Sequence, residues 1–381
     1  MKFFYSDTFR LGILGGGQLG RMLLQEAANY DVRIAVLDPA ANAPCSAICH
    51  EFTCGSFQDF ETVMAFGEGK DVITVEIEHV NTDALEALEQ KGVAVYPKPS
   101  FLRMVQDKGL QKEFYKENNI PTAPFQLIGS RAELNTGKHH FPFVLKSRKG
   151  GYDGKGVQII RTQEDLNNTF DGACVVEELI PFEKELSVII ARNRHGETSI
   201  FPLVEMEFNP EANLVEFLFS PAQVNEKVER EAQEIAKNIV EAADFVGLLA
   251  VELFLTKEGH LLVNEMAPRP HNSGHHTIEA CTTSQYEQHL RAILSLPLGA
   301  TSLIQPAVMI NLLGATGHAG PVHYTGLTEA MKMPGVHLHI YGKPHTKPFR
   351  KMGHVTVTDP DLNAAQQRAR TLLQLIKVES C

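Results

Sequence analysis

The chain has 381 residues, 46 acidic against 35 basic side chains, and a formal net charge of −11, with 43% apolar and 21% charged residues. This balance excludes a nucleic-acid partner, which needs a basic face, so any phosphate ligand has to be met by local Lys and Arg. No apolar run approaches the roughly 20 residues of a membrane span. No signal peptide is expected at the start of the chain, where Ser6-Asp7 breaks the opening apolar residues. Six cysteines without framework spacing predict reduced thiols in the cytoplasm.

In chain order, Phe9–Leu14 reads as a strand entering the turn Gly15-Gly16-Gly17-Gln18-Leu19-Gly20. A helical pattern through Met22, Leu23 and Ala27 follows, then a second strand over Val32–Leu37 that ends in Asp38. Gly15, Gly17 and Gly20 fit the dinucleotide fingerprint, and Asp38 could take a ribose hydroxyl. On this feature alone the chain would be an NAD-dependent oxidoreductase. The turn itself says only that backbone N–H groups at a helix start can meet an anion. Cys45, Cys49, His50 and Cys54 match no zinc pattern and read as buried thiols. Val72–Val75 is a third strand leading into Glu76-Ile77-Glu78, and Thr82–Lys91 and Val93–Tyr96 complete an α/β domain over residues 1–99.

One helix is expected from Ser100 to about Asn118, carrying Asp107-Lys108. Strands Phe143–Ser147 and Val157–Arg161 enclose Arg148-Lys-Gly-Gly-Tyr-Asp-Gly-Lys-Gly156. Ordering so many glycines costs backbone entropy, which makes sense where N–H groups close over an anion such as a triphosphate. Lys146 and Lys155 supply cations on either side, and no Walker pattern is present. Cys174–Glu178 is a buried strand leading into Leu179-Ile180-Pro181, an edge suited to bonding an adenine through its backbone. Further strands are read over Leu186–Ala191 and Ser199–Glu207. The helix Glu226–Ala243 places Val228, Ala232, Ile235, Ile239 and Ala243 on one apolar face.

Ala250–His276 carries the densest chemistry. Two apolar runs flank a Gly-containing turn, which predicts an antiparallel hairpin. With Lys257–His260 as the loop, Thr256 pairs with Leu261, Phe254 with Val263, and Glu252 with Glu265. Facing carboxylates need a cation or a shared proton. With Asn264 the donors are all oxygen, which suits Mg²⁺ better than zinc. The following Arg269-Pro-His-Asn-Ser-Gly-His-His276 suits an anion-handling active site, with Arg269, His271 and Asn272 as candidate catalytic groups. A helix over Tyr286–Leu294, strands over Ala307–Leu313, Val336–Tyr341 and His354–Thr358, and a closing helix over Asn363–Ile376 complete the reading.

Together these features resemble the ATP-grasp superfamily, and within it the N5-carboxyaminoimidazole ribonucleotide synthetases of purine biosynthesis. The resemblance spans essentially the whole chain. Four motifs carry it: Gly15-Gly-Gly-Gln-Leu-Gly-Arg-Met22, Thr74-Val-Glu-Ile-Glu-His-Val80, Gly150-Gly-Tyr-Asp-Gly-Lys-Gly156 and Asn264-Glu-Met-Ala-Pro-Arg-Pro-His-Asn-Ser-Gly-His275. It implies an α/β architecture: a Rossmann-like domain (1–99), an ATP-grasp domain (100–300) and a small C-terminal α+β domain (301–381). It implies a cytoplasmic homodimer in which ATP, bicarbonate and aminoimidazole ribonucleotide give ADP, phosphate and a carbamate through carboxyphosphate. Carried over residue by residue, Lys108, Lys146, Asn264 and the loop Gly151, Tyr152, Asp153, Gly154, Lys155 and Gly156 would meet the ATP phosphates. Glu177, Glu178, Leu179 and Ile180 would hold the adenine and Glu185 the ribose. Glu252 and Glu265 would hold Mg²⁺, with Mn²⁺ as the alternative. Gln18, Leu19, Glu76, Glu78, Tyr152, Lys155, Lys343 and Arg350 would bind the ribonucleotide.

The chain departs from the family pattern at Lys108 and Lys155, usually Arg, and at Phe208, often His. Lys keeps the charge and loses the bidentate fork. Within the superfamily the rival reading is a formate-dependent glycinamide ribonucleotide transformylase. A nucleotide-binding module without catalysis would not need the paired carboxylates and the Arg/His cluster together.

Overall fold

A computed structural model describes residues 3–134, 140–150, 156–209 and 214–381. The loop residues Gly151, Tyr152, Asp153, Gly154 and Lys155 therefore lie outside the described residues. The first unit alternates strand and helix: β1 (Leu11–Leu14), α1 (Gln18–Ala28), β2 (Ile34–Asp38), β3 (Glu51–Cys54), α2 (Phe60–Gly67), β4 (Val72–Val75), α3 (Thr82–Gln90) and β5 (Ala94–Val95). The strands pair parallel in the order β3-β2-β1-β4-β5. The near-continuous burial of β1, β2 and β4 is what a sheet covered on both faces requires. The order of strand addition reverses between the parallel neighbours β1 and β4, and a crevice at such a switch point is where doubly wound sheets take ligands. The glycine turn after β1 and Glu76–Glu78 after β4 both end there.

The single helix expected from Ser100 to Asn118 is two, α4 (Pro99–Val105) and α5 (Lys108–Glu117). Asp107 separates them because its carboxylate accepts from the N–H groups of Gly109 and Leu110, capping a new helix start. A four-stranded antiparallel sheet follows: β6 (Phe125–Ile128), β7 (Phe143–Ser147), β8 (Val157–Ile160) and β9 (Cys174–Glu178), in the order β6-β9-β7-β8.

The largest sheet holds β10 (Phe182–Arg192), β11 (Thr198–Ile200), β12 (Val204–Asn209), β13 (Leu214–Ser220), β14 (Gly247–Thr256), β15 (Leu261–Ala267) and β16 (Ala307–Leu313). The run expected as one strand over Ser199–Glu207 is split into β11 and β12 around Pro202, which has no N–H for a ladder. Helix α6 (Glu226–Ala242) lays Val228, Ala232, Ile235 and Ile239 on Val251, Leu253, Val263 and Met266, forming the main core. Short α7 (Thr277–Ala280) and α8 (Gln285–Ile293) pack between this sheet and the N-terminal unit, where Tyr286 and Leu290 join Leu23 and Ile13.

The C-terminal segment contains β17 (Gly320–Thr325), α9 (Leu327–Ala330), β18 (Val336–Ile340), β19 (His345–Thr346), β20 (Lys351–Thr358), α10 (Leu362–Leu375) and β21 (Lys377–Ser380). It does not build a wholly separate sheet. Strands β16, β20 and β18 extend the large one, in the order β15-β14-β10-β12-β13-β16-β20-β18, while β19-β17-β21 form a small sheet. This continuity brings Lys351 at the start of β20 close enough for its charge to act on Glu252.

Candidate active site

The centre of the site is the hairpin β14–β15. Its observed register pairs Leu255 with Leu261, Phe254 with Leu262 and Leu253 with Val263, one residue away from the pairing expected from the sequence. A β-bulge between Leu253 and Glu252 then restores the expected facing of Glu252 and Glu265. Asn264 is the extra residue. Val263 and Met266 both point into the core, so Asn264 and Glu265, consecutive in sequence, share the opposite face. A regular strand would have sent one of them inward.

Glu185 on β10 lies beside this pair and pairs in register with Phe254. Burial raises the Glu252 carboxyl, and the charges of Glu265 and then Glu185 raise it further. Burial, then Glu265, pushes Glu185 up to about 7. Lys108 Nζ is 3.8 Å from Glu265 Oε2. Partly buried carboxylates facing one another, with oxygen donors only, fit a hard divalent cation that completes its shell with substrate oxygens. Among the described residues, no group of three or more His, Cys, Asp or Glu closes into a metal cage of its own.

Beneath the pair, Lys146 Nζ donates to Asn264 Oδ1 at 2.9 Å and lies 3.0 Å from Glu177 Oε2. The Glu177 carboxylate is thus turned inward, and Leu179 and Ile180 follow the last ladder residue, Glu178. Glu178 itself is exposed. Burial would raise Glu177, but Lys146 and Lys112 outweigh it and hold the group below the usual carboxylate range. Lys112 was not singled out in the sequence, although it stands one helical turn after Lys108. The Gly-rich loop is anchored at its base. Arg148 grips Asp107 through two bonds of 2.7 and 2.9 Å, its carbonyl accepts from Lys108 N at 2.8 Å, and Ser147 N donates to Gly156 O at 2.8 Å.

The turn after β1 is filled by its own chain. Gly16 N donates to Asp38 Oδ2 at 2.7 Å, and Gly17 N and Leu19 N donate to Glu76 at 3.2 Å each. A Cβ on Gly17 would lie 2.4 Å from Glu76 Oε1, and one on Gly15 2.6 Å from Oε2. The glycines therefore make room for a carboxylate where a dinucleotide would put its pyrophosphate, which overturns the fingerprint reading. Asp38 also accepts from Ala40 N, so both of its oxygens are engaged. Burial pushes Glu76 up to about 7 against the pull of Arg269. Gln18 opens α1 at the rim of the same crevice.

Across the crevice, Arg269 forks onto Glu78, with Nε 2.5 Å from Oε2 and Nη2 3.3 Å from Oε1. Against a burial effect that would raise it, Arg269 holds Glu78 at about 2. His271 links the two halves of the site, its Nε2 lying 3.6 Å from Glu252 Oε1. Its Nδ1 meets Ser273 Oγ at 2.9 Å, and Ser273 Oγ meets Ser187 Oγ at 2.8 Å. Gln285 clamps the His271 backbone from both sides, accepting from its N–H and donating to its carbonyl at 2.8 Å each. Asn272 is buried with neither side-chain polar atom bonded among the described residues, a cost that a ligand would offset.

From the C-terminal segment, Lys343 Nζ donates to Lys351 O at 2.7 Å and lies 5.6 Å from the Tyr341 ring centre. Gly342 sits against Arg21 of α1, which brings this loop to the N-terminal crevice. Arg350 Nη1 donates to His345 O at 2.6 Å. The charge of Lys351, unremarked in the sequence, acts to lower Glu252 and His275. Of the cysteines read as buried thiols, only Cys45 is buried; Cys49 is half-buried and Cys54 exposed, and His50 Nδ1 accepts from Ile34 N.

Residues 113–286 match the ATP-grasp domain family, 9–106 the ribonucleotide synthetase preATP-grasp domain, and 307–368 the phosphoribosylaminoimidazole carboxylase C-terminal domain. The chain is similar to the crystal structure of N5-carboxyaminoimidazole ribonucleotide synthetase from Thermotoga maritima, with 44% identity, a TM-score of 0.91, and coverage of 98% of this chain and 100% of that one. The synthase of Aspergillus clavatus, solved in complex with ADP and 5-aminoimidazole ribonucleotide, is 34% identical with a TM-score of 0.88, over 97% of this chain and 98% of that one. The chloroplastic phosphoribosylaminoimidazole carboxylase of Vigna aconitifolia is 42% identical over 96% of this chain, which spans 66% of that longer protein. With an ATP-grasp sheet preceded by a doubly wound unit, and the two solved relatives matched over nearly their whole length, the chain belongs to the N5-carboxyaminoimidazole ribonucleotide synthase family of ATP-grasp ligases.

Proposed function

We propose that the protein joins bicarbonate to the exocyclic amine of 5-aminoimidazole ribonucleotide at the expense of ATP, in purine biosynthesis. The observation that carries the reading is the contact between two clusters. The phosphate-type group of Lys108, Lys146, Asn264, Glu252 and Glu265 meets the Arg269–His271–Asn272 group through His271 and Glu252, 3.6 Å apart. The adenine lies along Glu177–Ile180 and the ribose at Glu185. The loop Gly151–Gly156, of which only Gly156 lies among the described residues, is assigned to the ATP phosphates. Gln18, Leu19, Glu76, Glu78, Tyr152, Lys155, Lys343 and Arg350 hold the ribonucleotide. Glu252 and Glu265 would hold Mg²⁺ or Mn²⁺, which when bound offsets charge on the phosphates.

A bicarbonate oxygen attacks the γ-phosphorus, ADP leaves, and carboxyphosphate forms. Lys108 and Lys146 stabilise charge on the transferring oxygens, which is most of what phosphoryl transfer requires. Arg269, His271 and Asn272 orient bicarbonate and the intermediate. The amine then takes the carboxyl carbon, phosphate departs, and the amine loses a proton. The domains are assigned as 1–99, 100–300 and 301–381. Six free cysteines support a cytoplasmic setting, and membership of the family is the ground for reading the chain as a homodimer. No helix among the described residues is long and apolar enough to cross a membrane.

The reading is tested by phosphate release from ATP with Mg²⁺ and bicarbonate. Release is expected only when aminoimidazole ribonucleotide is added. Release driven by formate and glycinamide ribonucleotide would replace the reading with the transformylase.

A further inference from the structure

Glu177 is 4% exposed and Lys112 3% exposed, so both charges sit away from water. One Glu177 oxygen is 3.0 Å from Lys146 Nζ and the other 3.3 Å from Lys112 Nζ. Lys112 is held in place by donating to Thr122 Oγ1 at 2.6 Å, and Thr122 donates to Val263 O at 2.7 Å, one residue before the bulge. The rings of Tyr115 and Phe125 lie 6.0 Å from its ammonium. Enclosed in this way, Lys112 has no route to a ligand of its own.

Charge counting gives it a role. A buried carboxylate paired with Lys146 alone makes a neutral couple, and a neutral couple attracts phosphate weakly. With two lysines sharing one carboxylate, the trio keeps a single positive charge. We propose that Lys112 is a positioning residue for the nucleotide: by taking the second oxygen of Glu177 it leaves Lys146 with an unbalanced charge for the phosphates. This rests on the reading that Lys146 meets the nucleotide. Burial lowers Lys112 to about 8, with Glu177 opposing and Lys146 adding to the fall, so the ammonium is charged at neutral pH with little to spare.

The test is calorimetric titration with ADP of four full-length proteins: the parent, Lys146→Met, Lys112→Met, and Lys112→Met with Glu177→Gln. Lys112→Met makes the trio neutral and is expected to weaken ADP binding about ten- to thirtyfold, the effect of one unit charge acting over roughly 8–12 Å at an effective dielectric near 20. Adding Glu177→Gln changes only the inward-turned side chain and keeps the backbone assigned to the adenine; it restores the single positive charge and is expected to bring affinity back to within about threefold of the parent. A purely structural Lys112 would make the double variant no better than the single one. If Lys112→Met does not fold, the double variant decides alone, since it must bind ADP nearly as the parent does. Unchanged affinity in Lys112→Met, or a loss that Glu177→Gln does not recover, overturns the inference. Failure of the parent to bind ADP, or an indifferent Lys146→Met, overturns instead the assignment of the nucleotide site.

Discussion

Replacing Arg269 by Met strips the partner from Glu78 while keeping the length of the side chain. Both residues are 17% exposed, and the fork between them is short on one arm and moderate on the other. In the parent, Glu78 is held at about 2 against an ordinary 4.5, which corresponds to about 3 kcal/mol of stabilisation of its ionised form. A depressed carboxylate contributes stability that is present above pH 4.5 and lost as pH falls toward 2. In the variant burial, the largest effect, is opposed only by a backbone hydrogen bond and the charge of His79, so the sign reverses and stability falls as pH rises above the unfolded value. Thermal unfolding followed by circular dichroism should therefore show a difference between the proteins of about 2–3 kcal/mol near pH 4 that widens to about 4–5 kcal/mol at pH 7. Adding Glu78→Met removes the unpaired charge and should recover most of that loss without restoring turnover. Equal gaps at both pH values, or a double variant as unstable as the single, would refute the reasoning.

The other predictions come from the hairpin and the glycine turn. Glu265→Gln should abolish turnover yet raise the melting midpoint by about 2 °C, because it relieves repulsion with Glu252 and Glu185; near-normal turnover would remove Glu265 from the metal site. Excising Asn264 should leave regular in–out alternation through Val263, Glu265 and Met266, hence a folded hairpin. Lys146 loses its amide acceptor, and ADP affinity should fall about ten- to hundredfold by calorimetry. Parent-like affinity would take Asn264 out of the phosphate site. Gly17→Ala forces Glu76 off the N–H groups of Gly17 and Leu19 and should cost about 1–3 kcal/mol in urea denaturation; a variant as stable as the parent would show that Glu76 can move freely.

Apolar runs made most strand centres legible, and Val72–Val75, Phe143–Ser147, Cys174–Glu178 and Ala307–Leu313 have the bounds read from the sequence. The half-exposed strands β3 and β6 escaped because their burial is too irregular to make a clean period. The facing of Glu252 and Glu265 was legible, but for an incomplete reason. The register is one residue off at the turn, and the bulge that corrects it depends on core packing by Val263 and Met266, which no local pattern reports. The glycine turn looked like a dinucleotide site because the sequence cannot show that Glu76, nearly sixty residues later, fills it. Lys112 was hidden by its company, a charged residue among the mostly polar and charged side chains of α5. Only the fold reveals that it is buried opposite Glu177.

The most direct measurement follows oxygen. Bicarbonate labelled with ¹⁸O is supplied with ATP, Mg²⁺ and aminoimidazole ribonucleotide, and the phosphate released is analysed by mass spectrometry. Attack of bicarbonate on the γ-phosphorus predicts one labelled oxygen in each phosphate, formed only when the ribonucleotide is being carboxylated. Unlabelled phosphate in the presence of carbamate product would contradict the account.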